Sequence, residues 1–404
     1  MTVSPTPEAA AQRPLDGVRV LDLSRVVAGP FAGRMLSDLG ADVVKVEPPD
    51  GDLTRHWGRE TAGITGFFTQ QNAGKRNICI DLKAYGARDL VLELVAAADL
   101  VIENYRPGVL DRLGLGYDAM QAANPKVILL SISGFGIGNE WSGRAAFAPI
   151  LHAESGLLGR QAAFDQAAPT DPMLSIADYD SALHGLVGLL SALWMRERTG
   201  LGQHIDMAML NAMVATDDYG HHALDDYPVE RLGGQVWATS YGHILTSGNS
   251  KAQWWQLSKA GKVADEALPD GASIEDKIAM RERVLTDFYQ SFAERDDLVA
   301  ALDDANVAWA DIRDPFDVFE TPVAAERRLS TEIDDRAGGT RRVVESPYRF
   351  SAAEAGVRGP AAHRGEHNAE VLAEWLDAGP RAAELEASGV LHAAFPQPDE
   401  PAES

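Results

Sequence analysis

GVRVLDLS (17–24), AGPFAGRMLSDLG (28–40) and ADVVKVE (41–47) follow one another with only RVV (25–27) intervening. The first and third read as apolar strands, and the second as a helix closed by Gly40. Strand, helix and strand within about thirty residues is the signature of a right-handed parallel crossover. Downstream the alternation continues. NICIDLK (77–83) is a short strand and GARDLVLELVAAA (86–98) an amphipathic helix. DLVIENY (99–105) and KVILLSISG (126–134) are two further strands separated by a helical stretch. This order predicts an α/β domain built on a parallel sheet.

The pattern turns helical from Leu183, with Leu183, Leu186, Val187, Leu190, Leu193 and Trp194 expected on one face. TGLGQ (199–203) breaks that helix, and HIDMAMLNAMVAT (204–216) reads as a strand or a helix leading away. The expected organisation is a flexible arm over 1–14, a large α/β domain over 15–224, a smaller α+β domain with its own sheet over 225–335, a further segment over 336–390 and a disordered tail over 391–404.

The chain has 404 residues, 45% hydrophobic and 24% charged, as in a folded globular protein. Its formal charge of −24 argues against non-specific binding to nucleic acid or anionic membranes, although a local cluster of cations can still take an anionic ligand. After Met1, TVSPTPEAAAQRP has neither the basic segment nor the apolar core of a signal peptide. The longest apolar run, around 183–195, is interrupted by His184 and Gly188. Cys79 is the single cysteine, so an internal disulfide is impossible and a reducing, cytoplasmic location is expected.

Several site types are disfavoured. The loop after the first strand, SRVVAGPFAG, lacks GxGxxG and places Pro30 where a phosphate loop needs an amide, which removes a dinucleotide fingerprint. His221 and His222 are adjacent, so their side chains are expected to diverge. His363 and His367 are separated by a turn-like Gly365, and Cys79 has no CxxC partner, so no metal is expected. SISGFG lacks the spacing of a nucleophile elbow.

Asp178 lies in SIADYDSALHGLVGLLSAL, just before an apolar helix. From spacing alone a helix cap is the better account of it, and the preferred one for Asp180. The same amides and dipole would orient a carboxylate that attacks a thioester. Lys75, Arg76, Arg106 and Arg112 fall in loops at element ends, where cations are either solvated or arranged for phosphates.

Several collinear blocks then resemble one family. PLDGVRVLDLSRVVAGPFAGRMLSDLGADVVKVEPPDGD, NAGKRNICIDLK, ADLVIENYRPGVLDRLGLGY, NPKVILLSISGFG, RERTGLGQHIDMAML and RGEHNAEVL resemble the family III CoA-transferases, the formyl-CoA and carnitine CoA-transferase group. The resemblance runs from about residue 14 to 376. It implies a Rossmann-like large domain over 15–224, a smaller domain, a return of 336–390 to the large domain and an interlocked homodimer, with acyl-CoA and a small carboxylic acid as substrates and no tightly bound cofactor. It places the nucleophile on Asp178. Residues expected to contact coenzyme A are Val26, Val27, Asn72, Lys75, Asn104, Tyr105 and Arg112, with Lys75 and Arg112 suited to the phosphates.

The implied reaction proceeds through a mixed anhydride and an aspartyl-CoA thioester on Asp178, with a Gly-containing loop stabilising the oxyanions. Gly233 and Gly234 are the candidates, although the family's longer Gly run is absent. The same family contains α-methylacyl-CoA racemases, which use a His and a Glu. Here Phe147 stands at the His position before Gly156, and GNSKAQWW offers no carboxylate. His152 and Glu154 remain as substitutes, so that activity is the alternative, beside a non-catalytic CoA-binding protein. Trp237, Tyr241 and Trp254 fit a core better than an acid-binding cleft. His243 and Arg144 are candidate partners for a substrate carboxylate.

Overall fold

The computed structural model describes residues 12–227 and 233–395. Most of the expected arm and most of the expected tail lie outside the described residues. The chain divides into two compact units, one formed by the segments up to Gly220 and from Arg327 onward, the other by His221–Glu326.

In the large unit the strands are β1 (Arg19–Asp22), β2 (Asp42–Glu47), the short β3 (Glu60–Thr61) and β4 (Ile64–Thr65), β5 (Arg76–Cys79), β6 (Leu100–Glu103), β7 (Ile128–Ser133) and β8 (Gln203–Ala208). Its main sheet has the order β5-β2-β1-β6-β7-β8, with every pairing parallel. The chain thus builds outward from β1 through β2 to β5, then returns to the other side of β1 and continues through β6. The order reverses between β1 and β6, the switch point at which open α/β sheets place their ligand crevice beyond the carboxyl ends of the strands. HIDMAMLNAMVAT resolves into both alternatives: β8 completes the sheet and α9 (Met209–Ala215) follows it.

Helices cover both faces, as a sheet of near-continuous apolar strands requires. On one side α1 (Ala28–Asp38), α6 (Ala148–Glu154), α8 (Ile176–Thr199) and α9 pack on Val20, Leu100, Ile102, Ile128 and Leu130. On the other, α3 (Ala87–Ala97), α5 (Tyr117–Ala123) and α15 (Asn368–Leu376) pack on Leu21, Val44, Val101 and Leu129. The carboxyl-terminal segment is joined to the sheet edge: the His367 amide donates to the Asn77 carbonyl at 2.9 Å, and Val371, Leu372 and Trp375 enter the second core. The hairpin β12 (Ser330–Asp334) and β13 (Thr340–Val344) also belongs to this unit, so the expected boundary at 335 lies too late.

The long helix α8 departs from expectation. Its buried face is Ala177, Ser181, Ala182, Gly185, Leu186, Leu189 and Ala192, whereas Leu183, Val187, Leu190 and Trp194 are exposed. Small residues make the close face because α8 lies tight on the sheet: a β-carbon on Gly185 would stand 2.8 Å from Leu130 Cδ2. The larger apolar residues are left on the outer side.

The second unit has an antiparallel three-stranded sheet in the order β11-β10-β9, from β9 (Gln235–Thr239), β10 (Gly242–Thr246) and β11 (Trp309–Asp311). Trp237 and Trp254 are buried in its core with Tyr289 and Leu285, in keeping with the core reading, whereas Tyr241, in the turn between β9 and β10, is exposed. Gly234 packs against the Thr246 carbonyl, where a β-carbon would approach to 2.8 Å. Among the described residues, no helix is long and apolar enough to cross a membrane, and no cluster of three or more His, Cys, Asp or Glu could hold a metal. The rings of His221 and His222 do not diverge: their centroids lie 4.2 Å apart.

Candidate active site

A cavity of about 530 Å³ opens at the reversal point of the sheet. The loop after β1 supplies Arg25 and Val26, and the loop after β6 supplies Asn104, Tyr105 and Arg106. Ser133 and Gly134 come from the end of β7, and Asp178 from the first turn of α8. The two crevice loops are clasped together. The Arg25 amide donates to Asn104 Oδ1 at 2.8 Å, and Asn104 Nδ2 donates back to the Arg25 carbonyl at 2.7 Å. Arg25 also lies over the Tyr105 ring, 5.4 Å from its centroid.

The β1–α1 loop is held from below by buried ions. Val26 has φ of 71°, a left-handed conformation costly for a β-branched residue. Its amide donates to both oxygens of Asp52, at 3.1 and 3.3 Å. Lys45 Nζ stands 3.1 Å from the Asp52 carboxylate and donates to the Ser24 carbonyl at 2.8 Å. Burial works against the Asp52 anion, but Lys45 and the Thr54 and Val26 donors outweigh it and bring its carboxyl down to about 2. α1 sits close enough that a β-carbon on Gly29 would fall 2.2 Å from that of Ser24.

This ion network claims two residues expected to bind coenzyme A. Lys75 Nζ donates to Asp22 Oδ2 at 2.8 Å, the Pro30 carbonyl at 2.7 Å and Asn72 Oδ1 at 2.9 Å. Its side chain is 1% exposed, and Asn72 is also buried. With its three donors occupied and no solvent-facing surface, Lys75 cannot meet a phosphate in this structure, which corrects its assignment to the phosphate site, and Asn72 is corrected with it. Burial pushes the Lys75 ammonium down to about 8 despite Asp22. Val27 is buried at the N-cap position of α1, outside the cavity lining.

The cavity therefore gathers Val26, Asn104, Tyr105, Arg112 and Asp178 of the expected residues, together with the expected cation Arg106 and the candidate carboxylate partner Arg144, and adds Arg25. Arg25, Arg106 and Arg112 are exposed, and none forms an ion pair or side-chain hydrogen bond among the described residues. Three uncompensated guanidinium groups, two on adjoining loops and Arg112 at the end of the short helix Val109–Arg112, give so acidic a chain a local anion-binding surface.

Asp178 is the third residue of α8, and Ser175 occupies the N-cap position without a side-chain cap bond, so Asp178 is not the cap. His152 takes that part, its Nε2 accepting the Ala177 amide at 3.3 Å, while its Nδ1 lies 2.7 Å from Asp171 Oδ1. Asp180 is not a cap either, because it accepts from Thr216 Oγ1 at 2.6 Å. The Asp178 carboxylate instead receives the Ala28 amide, at the start of α1. Its neighbour Tyr179 is fixed edge-on against Phe31 at 4.9 Å and by Gln71 Nε2 at 3.0 Å. Burial raises the Asp178 carboxyl to about 6, partly offset by the Ala28 amide and by His152 when protonated. At neutral pH such a group is still mostly ionised, and poorly hydrated, as a nucleophile should be.

A family model described as CoA-transferase family III matches residues 15–368. The chain belongs to this family. It is 32% identical over 384 residues to a succinate–glutarate CoA-transferase of Agrobacterium fabrum, covering 89% of this chain and 95% of that one. A succinyl-CoA:mesaconate CoA-transferase of Haloarcula hispanica is 32% identical over 384 residues, covering 89% and 96%. A CAIB/BAIF family protein from Brucella suis has the same fold, with a TM-score of 0.77, 32% identity, and coverage of 90% of this chain and 100% of that one. This family III chain is thus an enzyme of CoA transfer.

The racemase substitutes are both committed elsewhere. His152 is buried with its ring nitrogens engaged by Asp171 and Ala177, and Glu154 pairs with Arg144. Phe147 lines the cavity where a racemase would have its His. Arg25 carries no sequence signal beyond its place after the first strand, and only the sheet order reveals that this place is the crevice.

Proposed function

We propose that the protein transfers coenzyme A from an acyl-CoA donor to a free carboxylic acid, with Asp178 as the covalent carrier. The observation that carries this reading is a half-buried carboxylate in a cleft also lined by three unpaired arginines. The arginines suit the phosphates of the nucleotide end, and the relatives' names specify transfer between carboxylic acids.

An Asp178 oxygen attacks the thioester carbonyl, the C–S bond breaks, and CoA thiolate leaves a mixed anhydride. The thiolate then attacks the Asp178 carbonyl carbon, expelling the donor acid and leaving an aspartyl-CoA thioester. The acceptor carboxylate attacks that thioester, releasing thiolate and forming a second anhydride. Thiolate attack on the acceptor's carbonyl yields the new acyl-CoA and frees Asp178. Val26, Asn104, Tyr105 and Arg112, together with Arg25 and Arg106, are the residues proposed to contact coenzyme A. A homodimer is also proposed, supported by the exposed apolar row Leu183, Val187, Leu190 and Trp194 on α8.

The test is succinyl-CoA with hydroxylamine, followed by peptide mass spectrometry. A hydroxamate on Asp178, absent from Asp178→Ala, is the expected result. Turnover of acyl-CoA with no adduct at Asp178 would overturn the covalent route, and CoA binding with no turnover would leave a binding protein.

A further inference from the structure

We propose that Arg144 selects the acid, pairing with the distal carboxylate of a dicarboxylic acyl group and so favouring diacids over monoacids; this rests on the Asp178 acyl-transfer reading. Arg144 differs from the other cleft arginines in being held. Its guanidinium carbon lies 4.6 Å from the centroid of the Phe135 ring and 4.6 Å from that of Trp141. Its amide donates to the Trp141 carbonyl at 2.9 Å, and its Nη2 pairs with Glu154 of α6. Nε and Nη1 make no hydrogen bond among the described residues. A planar cation fixed against aromatic faces, with N–H groups left over, is prepared for a carboxylate.

Its position relative to Asp178 is set by rigid contacts. The segment of Arg144 continues into Ala146 and Phe147, which line the same cavity as Asp178. Ala146 is pressed onto Gly134, where a β-carbon would stand 2.2 Å from its own. α6, which carries Glu154, also carries His152, and His152 accepts the amide of Ala177 next to Asp178. The segments that follow β1 and β6 hold Arg25, Arg106 and Arg112, so Arg144, on the β7 side, is left for the acyl end. Glu154 sharpens the choice. It compensates Arg144 when the site is empty, and a carboxylate must compete with it by using the remaining N–H groups.

The experiment compares kcat/KM for a diacid pair (succinyl-CoA with glutarate) and a monoacid pair of similar length (butyryl-CoA with valerate), in wild type, Arg144→Gln and Arg144→Lys. Wild type is expected to prefer the diacid pair. Arg144→Gln should lower the diacid-to-monoacid ratio about 10- to 150-fold, the range for a lost hydrogen bond to a charged group. Arg144→Lys, which keeps the charge but loses the planar fork, should fall between. A ratio unchanged in both variants, a wild-type preference for the monoacid pair, or an equal fall for both pairs with weakened binding of free CoA would each overturn the assignment. A melting temperature for each variant separates misfolding from lost selectivity. Hydroxylamine trapping with succinyl-CoA in wild type separates the two readings: turnover with no Asp178 adduct defeats the carrier, whereas an adduct with an unchanged ratio defeats Arg144 alone.

Discussion

Replacing Asp178 by Asn should stabilise the protein while abolishing transfer. Burial raises this carboxyl from 3.8 to about 6, so folding carries a cost whenever the group is ionised. A shift of that size corresponds to about 3 kcal/mol. The sign follows from linkage: the unfolded chain releases its proton first, so stability falls as pH rises through 3.8 and levels off above 6. Asn resembles the protonated acid, keeps an oxygen to accept the Ala28 amide, and never ionises. The variant should therefore gain about 3 kcal/mol at pH 8 and only about 0.5 kcal/mol at pH 4. For a chain of this length the larger gain is a rise of about 3–4 °C in the unfolding midpoint. Calorimetry of both proteins at pH 8 and pH 4 provides the assay. A variant less stable than wild type at pH 8, or one whose gain is equal at both values, would refute the claim that desolvation dominates at this carboxylate.

The same titration should appear in turnover. Because Asp178 attacks as an anion, kcat/KM should rise through a single ionisation near pH 6 and fall tenfold per unit well below it, and a flat profile from pH 5 to 8 would contradict this. Glu103, whose carboxyl burial raises to about 7, holds the Tyr105 amide rather than the substrate, so Glu103→Gln should leave that limb in place. Lys75→Met should destabilise by about 3–5 kcal/mol, since it strands buried Asp22, and calorimetry should show the lower unfolding midpoint. Arg112→Gln should instead keep stability within about 0.5 kcal/mol of wild type while titration calorimetry finds weaker, less salt-sensitive CoA binding. Val187→Asp with Trp194→Glu should shift the sedimentation coefficient from dimer to monomer, and an unaltered dimer would remove α8 from the interface.

The parallel sheet was legible because its strands are short apolar runs bounded by turns, a pattern that needs no partner to be recognised. The crevice was not, because strand order is a property of the folded sheet. Nothing in the spacing of 19–22, 42–47 and 100–103 says that the third strand returns beside the first. Lys75 shows a different limit. A cation near an element end looks the same whether it faces solvent or a buried anion. A signal was present nevertheless: Asp22 within VLDL and Lys45 within VVKVE are charges inside strands that read as buried, and buried charges need partners. α8 misled for a third reason. Its apolar residues surround the helix, so periodicity could not say which side meets the sheet, and the small residues, not the large ones, marked it.

These observations also change what the buried ions do for the cleft. Lys75 and Asp22 lie beneath α1, where a β-carbon on Gly33 would fall 2.7 Å from Asp22 Oδ2 and 3.0 Å from Lys75 Nζ. Asp22 in turn accepts the Ser24 amide at 3.1 Å, and Lys45 and Asp52 hold the Ser24 carbonyl and the Val26 amide. A left-handed Val costs about 1–3 kcal/mol and persists only where its surroundings over-determine it. The ion network supplies that constraint. It fixes the loop that presents Arg25 to the cleft and the start of α1, whose Ala28 amide reaches Asp178. Lys75 thus acts on the site as a positioning residue, by holding the backbone that holds the nucleophile. Its charge is kept away from phosphate because the loop depends on it.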